Sequence, residues 1–293
     1  MEEKKKPLQW HPAFFAGLQI ELSEEADNLE FENEHQLGTK PKQIDVLVIK
    51  KDADKPIRKN IGRIFRRHNI VEYKSPEDYL SIDDFYKVYG YTCFYKADAT
   101  HIDALKIEEL TISFVCHNYP RKLIRHLREH GYHVRKVDAG IYYIEGLQMP
   151  MQLILTSALS EEENLWLANL TNDLKEKKTA KRILAEYEKH KEDGRYESVM
   201  NLITNANMKL FEEVNYMCEA LVDIVMRSDR WKDTLDEATK EKWKNDVEKG
   251  RTEGTERVNK LIQNLIASSR SGEIERAVTD SAYQQCLFEE FGL

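Results

Sequence analysis

Two carboxylates and a lysine, Asp45, Glu72 and Lys74, occur in apolar stretches of the chain that are typical of buried strands. Glu72 and Lys74 are two residues apart, so they share one face of a strand, and Asp45 meets them if the two strands pair. Burying such groups is costly unless they are paired or bind a metal. Carboxylate oxygens are ligands that Mg²⁺ prefers, and an ammonium group can stabilise developing negative charge. The set therefore suits metal-assisted hydrolysis of a phosphodiester.

The alternative for Glu72 and Lys74 is a surface salt bridge, which is the usual role of an acid and a base two residues apart on a strand. The sequence around Glu72 and Lys74 favours a catalytic role for them. A predicted helix and hairpin precede the pair, Asp45 interrupts a hydrophobic strand, and another helix follows.

Apolar periodicity predicts the elements that position these residues. The helix at 81–96 has Ser81 as its predicted N-cap and Asp84 in the capping-box position. Gly131 ends the helix that Pro120 opens. The predicted helices are 11–24, 81–96 and 121–130, and the predicted strands are 28–37, 43–50, 69–74, 110–116, 132–137, 141–145 and 150–156.

From Ser160 to Arg270 the pattern is almost entirely helical. We therefore predict an α/β domain over residues 1–157 and an α-helical C-terminal region over residues 158–293. The first part has a net charge of −1 and the second −7, while the segment Lys40–Lys74 is strongly basic at +7. The acidity thus lies mostly away from the Asp45, Glu72 and Lys74 set.

The composition excludes several classes of protein. No run approaches the length that a membrane helix needs, and no apolar run follows the charged N-terminus as in a signal peptide. The four cysteines have no paired spacing, which indicates reduced thiols in a cytoplasmic protein. No glycine-rich phosphate loop or dinucleotide fingerprint occurs, so we expect no nucleotide cofactor and no membrane partner.

The segments Ile44-Asp45 and Glu72-Tyr73-Lys74, with the surrounding run from His68 to Gly90, resemble the PD-(D/E)XK nuclease superfamily. More closely, they resemble bacterial transposase-like proteins related to the Rpn recombination-promoting nucleases. The resemblance covers roughly residues 10–130, and the acidic tail from Tyr283 to Leu293 is also similar to that group. Ile44 replaces the proline of the superfamily's name, and the gap between Asp45 and Glu72 is long, which indicates an insertion between the strands.

The resemblance implies a restriction-endonuclease-like αβββαβ core, a mixed central sheet flanked by helices. It implies that Asp45 and Glu72 bind Mg²⁺, with Mn²⁺ as a possible substitute, and that Lys74 is the catalytic lysine. A glutamate of the first helix often completes the metal site in this superfamily. Glu21 fits that role best, and Glu24 is the alternative.

Basic residues of the insertion are candidates for nucleic-acid contact because they lie near the motif in sequence, although a solvated loop is the alternative. They are Arg58, Lys59, Arg63, Arg66 and Arg67. The tyrosines at 86, 89, 91 and 95 suit either the core or base stacking. Arg121, Arg125 and Arg128 share a helix face, which suits either a phosphate track or an exposed amphipathic face.

We therefore expect a metal-dependent DNA endonuclease. Recombination, mobile-element movement and defence all remain open as its setting. The rival hypothesis is a catalytically silent scaffold whose acidic helical half binds a protein partner or dimerises. A homodimer is expected in either case. Apolar residues that repeat at helical spacing in the C-terminal region suit either a helical hairpin or the dimer interface. These residues are Leu202, Phe211, Val214, Met217, Leu221 and Val225.

Overall fold

A mixed seven-stranded sheet forms the centre of the chain, which folds as an α/β protein in the computed structural model. The structure describes residues 8–36, 43–99, 101, 103–213 and 237–293. Two compact units, Met1–Asn215 and Tyr216–Leu293, divide the chain, and the sheet belongs to the first.

The strands run in the order β1-β2-β3-β4-β7-β6-β5 across the sheet. β4 pairs in parallel with both β3 and β7, and the other neighbours are antiparallel. The predicted strands 43–50 and 110–116 are confirmed with their bounds, since alternating or continuous apolar runs specify strands well. The strands are β1 Leu29–Gln36, β2 Gln43–Lys50, β3 His68–Lys74, β4 Leu110–Cys116, β5 His133–Asp138, β6 Ile141–Glu145 and β7 Met151–Leu155.

One face of the sheet is covered by α2 (Ile82–Ala97) and α3 (Arg121–Glu129), which pack their apolar residues on β3, β4 and β7. The predicted capping box is confirmed at α2, where Ser81 and Asp84 bond each other's backbone N–H groups. Leu123, Ile124 and Leu127 face this core, so the basic residues of α3 face outward.

Helix α1 (Trp10–Glu21) covers the other face, where the ring of Phe14 stacks on Tyr73 at 4.1 Å between centroids. Most of its residues are buried, as in a helix with protein on more than one side. Gly17 faces Leu167 and Val199, and an added methyl group there would lie 3.3 Å from Leu167. The predicted helix 11–24 ends earlier than expected, because Ser23–Asn28 forms a separate 3₁₀ turn.

Four more helices complete the first unit, and the predicted division after residue 157 falls inside it. They pack against α1 and each other, so residues beyond 157 share the core of the sheet unit. Leu202 and Phe211 are buried in this unit, whereas Val214, Met217, Leu221 and Val225 of the predicted interface lie outside the described residues. The helices are α4 Leu165–Ala168, α5 Lys177–Glu188, α6 Gly194–Ala206 and α7 Met208–Glu213.

The second unit contains the helices α8 (Glu237–Ala267), α9 (Ile274–Thr279) and α10 (Ser281–Phe291). Its small core contains Leu265 of α8 and Phe288 of α10. None of the helices that the structure describes has the length and apolarity to span a membrane.

Candidate active site

The strands β2 and β3 separate at one end of the sheet, and the predicted catalytic residues lie at the separation. Their ladder joins residues 46–49 to residues 68–71 and stops at the pair Val46–Val71. Beyond it, β3 stays paired with β4 as far as Lys74, and β2 stays paired with β1 as far as Gln43. We call the opening between residues 43–45 and 72–74 the fork.

Asp45 is the first residue of β2 inside the fork. Its Oδ2 accepts a hydrogen bond of 2.9 Å from the backbone N–H of Tyr73, so a side chain replaces the strand pairing that has ended. His11 Nδ1 of α1 lies 3.8 Å from the same oxygen. The side chain of Asp45 is 21% exposed, which leaves it accessible from the α1 side of the sheet.

Glu72 is the first residue of β3 inside the fork and is directed toward α2. Its Oε1 lies 3.2 Å from Lys74 Nζ and 3.4 Å from Lys87 Nζ, and the side chain is only 4% exposed. Burial raises the pKa of Glu72, and the negative charge of Asp45 raises it further, against the opposing effect of the two lysines. Glu72 therefore ionises less readily than an ordinary glutamate.

Helix α2 supplies two further charges to this network. Asp84 Oδ1 lies 3.0 Å from Lys74 Nζ and 3.7 Å from Lys87 Nζ, so each lysine contacts both Glu72 and Asp84. Burial opposes the charged form of Lys74, but the bonds to Asp84 and Glu72 outweigh it and raise the pKa of Lys74. Lys74 is therefore held as an ammonium ion at neutral pH.

The fork contains two carboxylates, Asp45 and Glu72, and carboxylate oxygens are the ligand type that Mg²⁺ prefers. Among the residues that the structure describes, no group of three or more His, Cys, Asp or Glu side chains is arranged to hold a metal. Mg²⁺ commonly binds through only one or two carboxylates, with water and substrate phosphate as its other ligands. Glu72 is buried and Asp45 is 21% exposed; burial, and then the negative charge of Asp45, raise the pKa of Glu72.

A cleft of about 240 Å³ opens beside Asp45 on the α1 side of the fork. Phe14 and Val46 form its apolar part, and polar side chains form the rest. Its polar lining residues are His11, Asn33, Glu34, Gln43 and Asp45.

Glu21, which was predicted as the third metal ligand, has other partners. Its Oε1 accepts from the backbone N–H groups of Trp166 and Leu167, and its Oε2 lies 2.7 Å from Lys59 Nζ. Burial raises the pKa of Glu21, and Lys59 and the two N–H groups oppose that effect. The carboxylate therefore joins α1, α4 and the insertion, and the structure does not bring it together with Asp45 and Glu72.

The basic residues of the insertion lie away from the fork. The insertion joins β2 and β3 at the opposite end of their ladder, four residues or about 14 Å from Asp45 and Glu72. Lys59 pairs with Glu21. Arg63 lies 3.3 Å from Asp138 and Arg67 lies 3.6 Å from Glu109. Arg58 and Arg66 are exposed at this distant end. Nearness in sequence therefore does not make these five residues neighbours of the proposed catalytic set.

Comparisons with protein-family models, curated proteins and solved structures gave no match. The functional argument therefore depends on the geometry of the fork.

Three residues of the site, His11, Asp84 and Lys87, were not predicted as members of it. Asp84 was expected only as a capping residue, and its position one helical turn before Lys87 was the available signal. His11 carried no ligand spacing, so only the packing of α1 on the sheet brings it to Asp45. The fork thus combines one predicted triplet with partners from two helices.

Asp84→Asn is expected to lower the free energy of unfolding by about 2 kcal/mol at pH 7. Burial opposes ionisation of Asp84, but bonds from Ser81 and Lys74 prevail and lower its pKa to about 2 from 3.8. Because the pKa of Asp84 is lower in the folded protein, its charge stabilises the fold at pH values above the unfolded pKa. That stability is lost as the pH falls toward the folded pKa. The difference between wild type and variant should therefore shrink to about half by pH 3.

Urea unfolding at pH 7, 5 and 3 measures this difference. Asp83→Asn is the matched control, since Asp83 is exposed in the same helical turn. A difference that stays constant with pH would show that the charge of Asp84 contributes nothing.

Proposed function

We propose that the protein is a Mg²⁺-dependent DNA endonuclease of the PD-(D/E)XK type, similar to the Rpn and transposase-like nucleases. In this proposal α1, β1, β2, β3, α2 and β4 form its restriction-endonuclease-like core. The observation that carries the proposal is the fork, because Asp45, Glu72 and Lys74 all lie at the end of the sheet where β2 and β3 are no longer paired with each other.

Each residue of the set has a chemical role in this proposal. Asp45 and Glu72 would hold Mg²⁺, or Mn²⁺ in its place. When bound, the cation polarises the phosphodiester and makes a neighbouring water more acidic. Lys74 donates hydrogen bonds to the oxygen on which negative charge develops as water adds to phosphorus and the ester P–O bond breaks. Its raised pKa keeps the required proton on Nζ at neutral pH.

Asp84 acts as a positioning residue. Lys74 and Lys87 contact both Glu72 and Asp84. If Glu72 held a cation, Asp84 would still keep both ammonium groups at the fork. Lys87 is the more exposed lysine, which suits contact with a phosphate that arrives from solvent.

The rival is a silent scaffold with the same fold, and one observation favours it. Glu72, Lys74, Asp84 and Lys87 already form a closed network of ion pairs of alternating sign. Such a network can be purely structural, with the acidic helical half of the chain serving a protein partner. The two functions differ in their requirement for Asp45, which contributes to no pair with these lysines among the described residues.

The test is cleavage of supercoiled plasmid DNA by the full chain with Mg²⁺ and with EDTA. We expect nicked and linear products only with Mg²⁺, and a rate at least about 100-fold lower for Asp45→Asn. Asp54→Asn is the control, because Asp54 is an exposed carboxylate in the insertion. Equal cleavage by wild type and Asp45→Asn would contradict the proposal, and so would no cleavage by wild type.

A further inference from the structure

A second surface lies at the same end of the sheet as Lys74. β3 and β4 are parallel, and Lys74 is in register with Cys116, the last residue of β4. Only four residues separate Cys116 from Arg121, the first residue of α3. The start of α3 is therefore close to the fork, whereas the insertion is at the opposite end of the β2–β3 ladder.

Hydrogen bonds join the segment after Lys74 to α3. Asn118 Nδ2 donates to the carbonyl of Pro76 at 3.0 Å, and the backbone N–H of Lys122 donates to the Tyr79 hydroxyl at 3.1 Å. Further along, the Tyr86 hydroxyl and His126 Nε2 lie 2.9 Å apart. These bonds hold two tyrosines of the α2 side in place beside the basic helix. We call Tyr79, Tyr86, Arg121, Lys122 and Arg125 the α2–α3 surface.

The cations of α3 differ in their partners from three of the five basic residues of the insertion. Arg121, Lys122, Arg125 and Arg128 are all exposed, and none forms an ion pair within the part of the chain that the structure describes. In the insertion, by contrast, Lys59, Arg63 and Arg67 are each paired with a carboxylate. Unpaired cations retain their full attraction for the phosphates of a nucleic acid.

The aromatic members of the surface are unusually open to solvent. Tyr79 is 44% exposed and Tyr86 is 48% exposed, although each hydroxyl is engaged by α3. Their polar atoms are thus satisfied while ring area stays accessible. Exposed aromatic rings interleaved with basic side chains are the combination with which proteins hold unpaired bases and the strand that carries them.

We propose that the α2–α3 surface binds the DNA strand that enters the fork. Arg121, Lys122 and Arg125 contact its phosphates, and unpaired bases stack on Tyr79 and Tyr86. The inference depends on the proposed function, since the surface is assigned to DNA by its continuity with the fork and by its charge. It gives the enzyme a preference for DNA that is single-stranded or frayed near the cut.

The test is binding of fluorescein-labelled single-stranded and duplex DNA of one sequence, followed by anisotropy in EDTA at several salt concentrations. The double variant Arg121→Ala/Arg125→Ala should bind single strands at least about tenfold more weakly and lose about 0.7 in salt slope for each phosphate contact removed. Tyr86→Ala should weaken single-stranded binding more than duplex binding, and Tyr86→Phe should bind as wild type, because stacking needs only the ring. Thermal melting checks that each variant is folded.

Arg58→Ala/Arg66→Ala is the matched control, since both arginines are exposed in the insertion. It should bind DNA as wild type does. The inference would be overturned if Arg121→Ala/Arg125→Ala bound DNA as tightly as wild type. It would also be overturned if only the insertion variant lost DNA binding, or if neither wild type nor any variant bound DNA. A changed oligomeric state of the α3 variant with unchanged DNA binding would assign the surface to a protein partner instead. Because this binding assay is run in EDTA, its result does not depend on cleavage. DNA that binds here but is not cut in the plasmid assay with Mg²⁺ would contradict the proposed function and leave this inference standing.

Discussion

Lys74→Met is expected to reduce the cleavage rate by at least about 100-fold while Mg²⁺ binds as tightly as in wild type, or more tightly. Cleavage and Mg²⁺ binding respond differently because Lys74 has two roles. Its ammonium group stabilises charge in the reaction, but it also pairs with Glu72 at 3.2 Å. Removing the ammonium group leaves the Glu72 carboxylate free of a cation that competes with Mg²⁺. Lys87 and Asp84 remain in place, so the helix that covers the fork keeps its position.

Single-turnover cleavage and calorimetry with Mg²⁺ on the same protein preparation measure both effects. Lys51→Met is the control, since Lys51 is exposed at the far end of the same hairpin. Weaker Mg²⁺ binding by Lys74→Met, or cleavage at the wild-type rate, would contradict the role assigned to Lys74.

Glu21→Ala is expected to cost about 3–5 kcal/mol of folding stability and to leave the Mg²⁺ affinity of the folded protein unchanged. The substitution leaves Lys59 without its buried partner and two backbone N–H groups at the start of α4 without their acceptor. An unsatisfied charge or donor in a buried place is costly. The effect should be large, because α1, α4 and the insertion all meet at this carboxylate.

Urea unfolding with calorimetric Mg²⁺ titration distinguishes the two roles proposed for Glu21. Glu24→Ala provides the comparison, because Glu24 is exposed just beyond the same helix and should change stability by less than about 0.5 kcal/mol. Wild-type stability with lost Mg²⁺ binding in Glu21→Ala would restore the role of metal ligand that the superfamily resemblance implies.

The case of Glu21 indicates where sequence reasoning stops. Strand periodicity alone places Glu72 and Lys74 on one face, because a period of two is a property of the backbone. The partners of Glu21, by contrast, come from residues 59, 166 and 167, and they depend on how α1 packs between the sheet and α4. No local sequence pattern in residues 11–24 predicts that packing.

The basic residues illustrate the same limit in a different way. Arg58 and Arg66 lie close to Glu72 in sequence, but an antiparallel hairpin carries its loop to the end opposite the fork. Arg121 lies much farther along the chain, and the parallel pairing of β3 with β4 returns it to the end where Lys74 lies. Strand direction decides which neighbours matter, and a pattern within one strand does not specify the direction of its partner.

The central claim is that Asp45 and Glu72 share one divalent cation, and calorimetric titration of the full chain with Mg²⁺ tests it most directly. Wild type should bind one ion per fork, and Asp45→Asn and Glu72→Gln should each weaken binding at least about tenfold. The double variant should lose little more than either single variant, because the two side chains act on one ion. Mg²⁺ binding that survives both substitutions, or that is absent from wild type, would contradict the account.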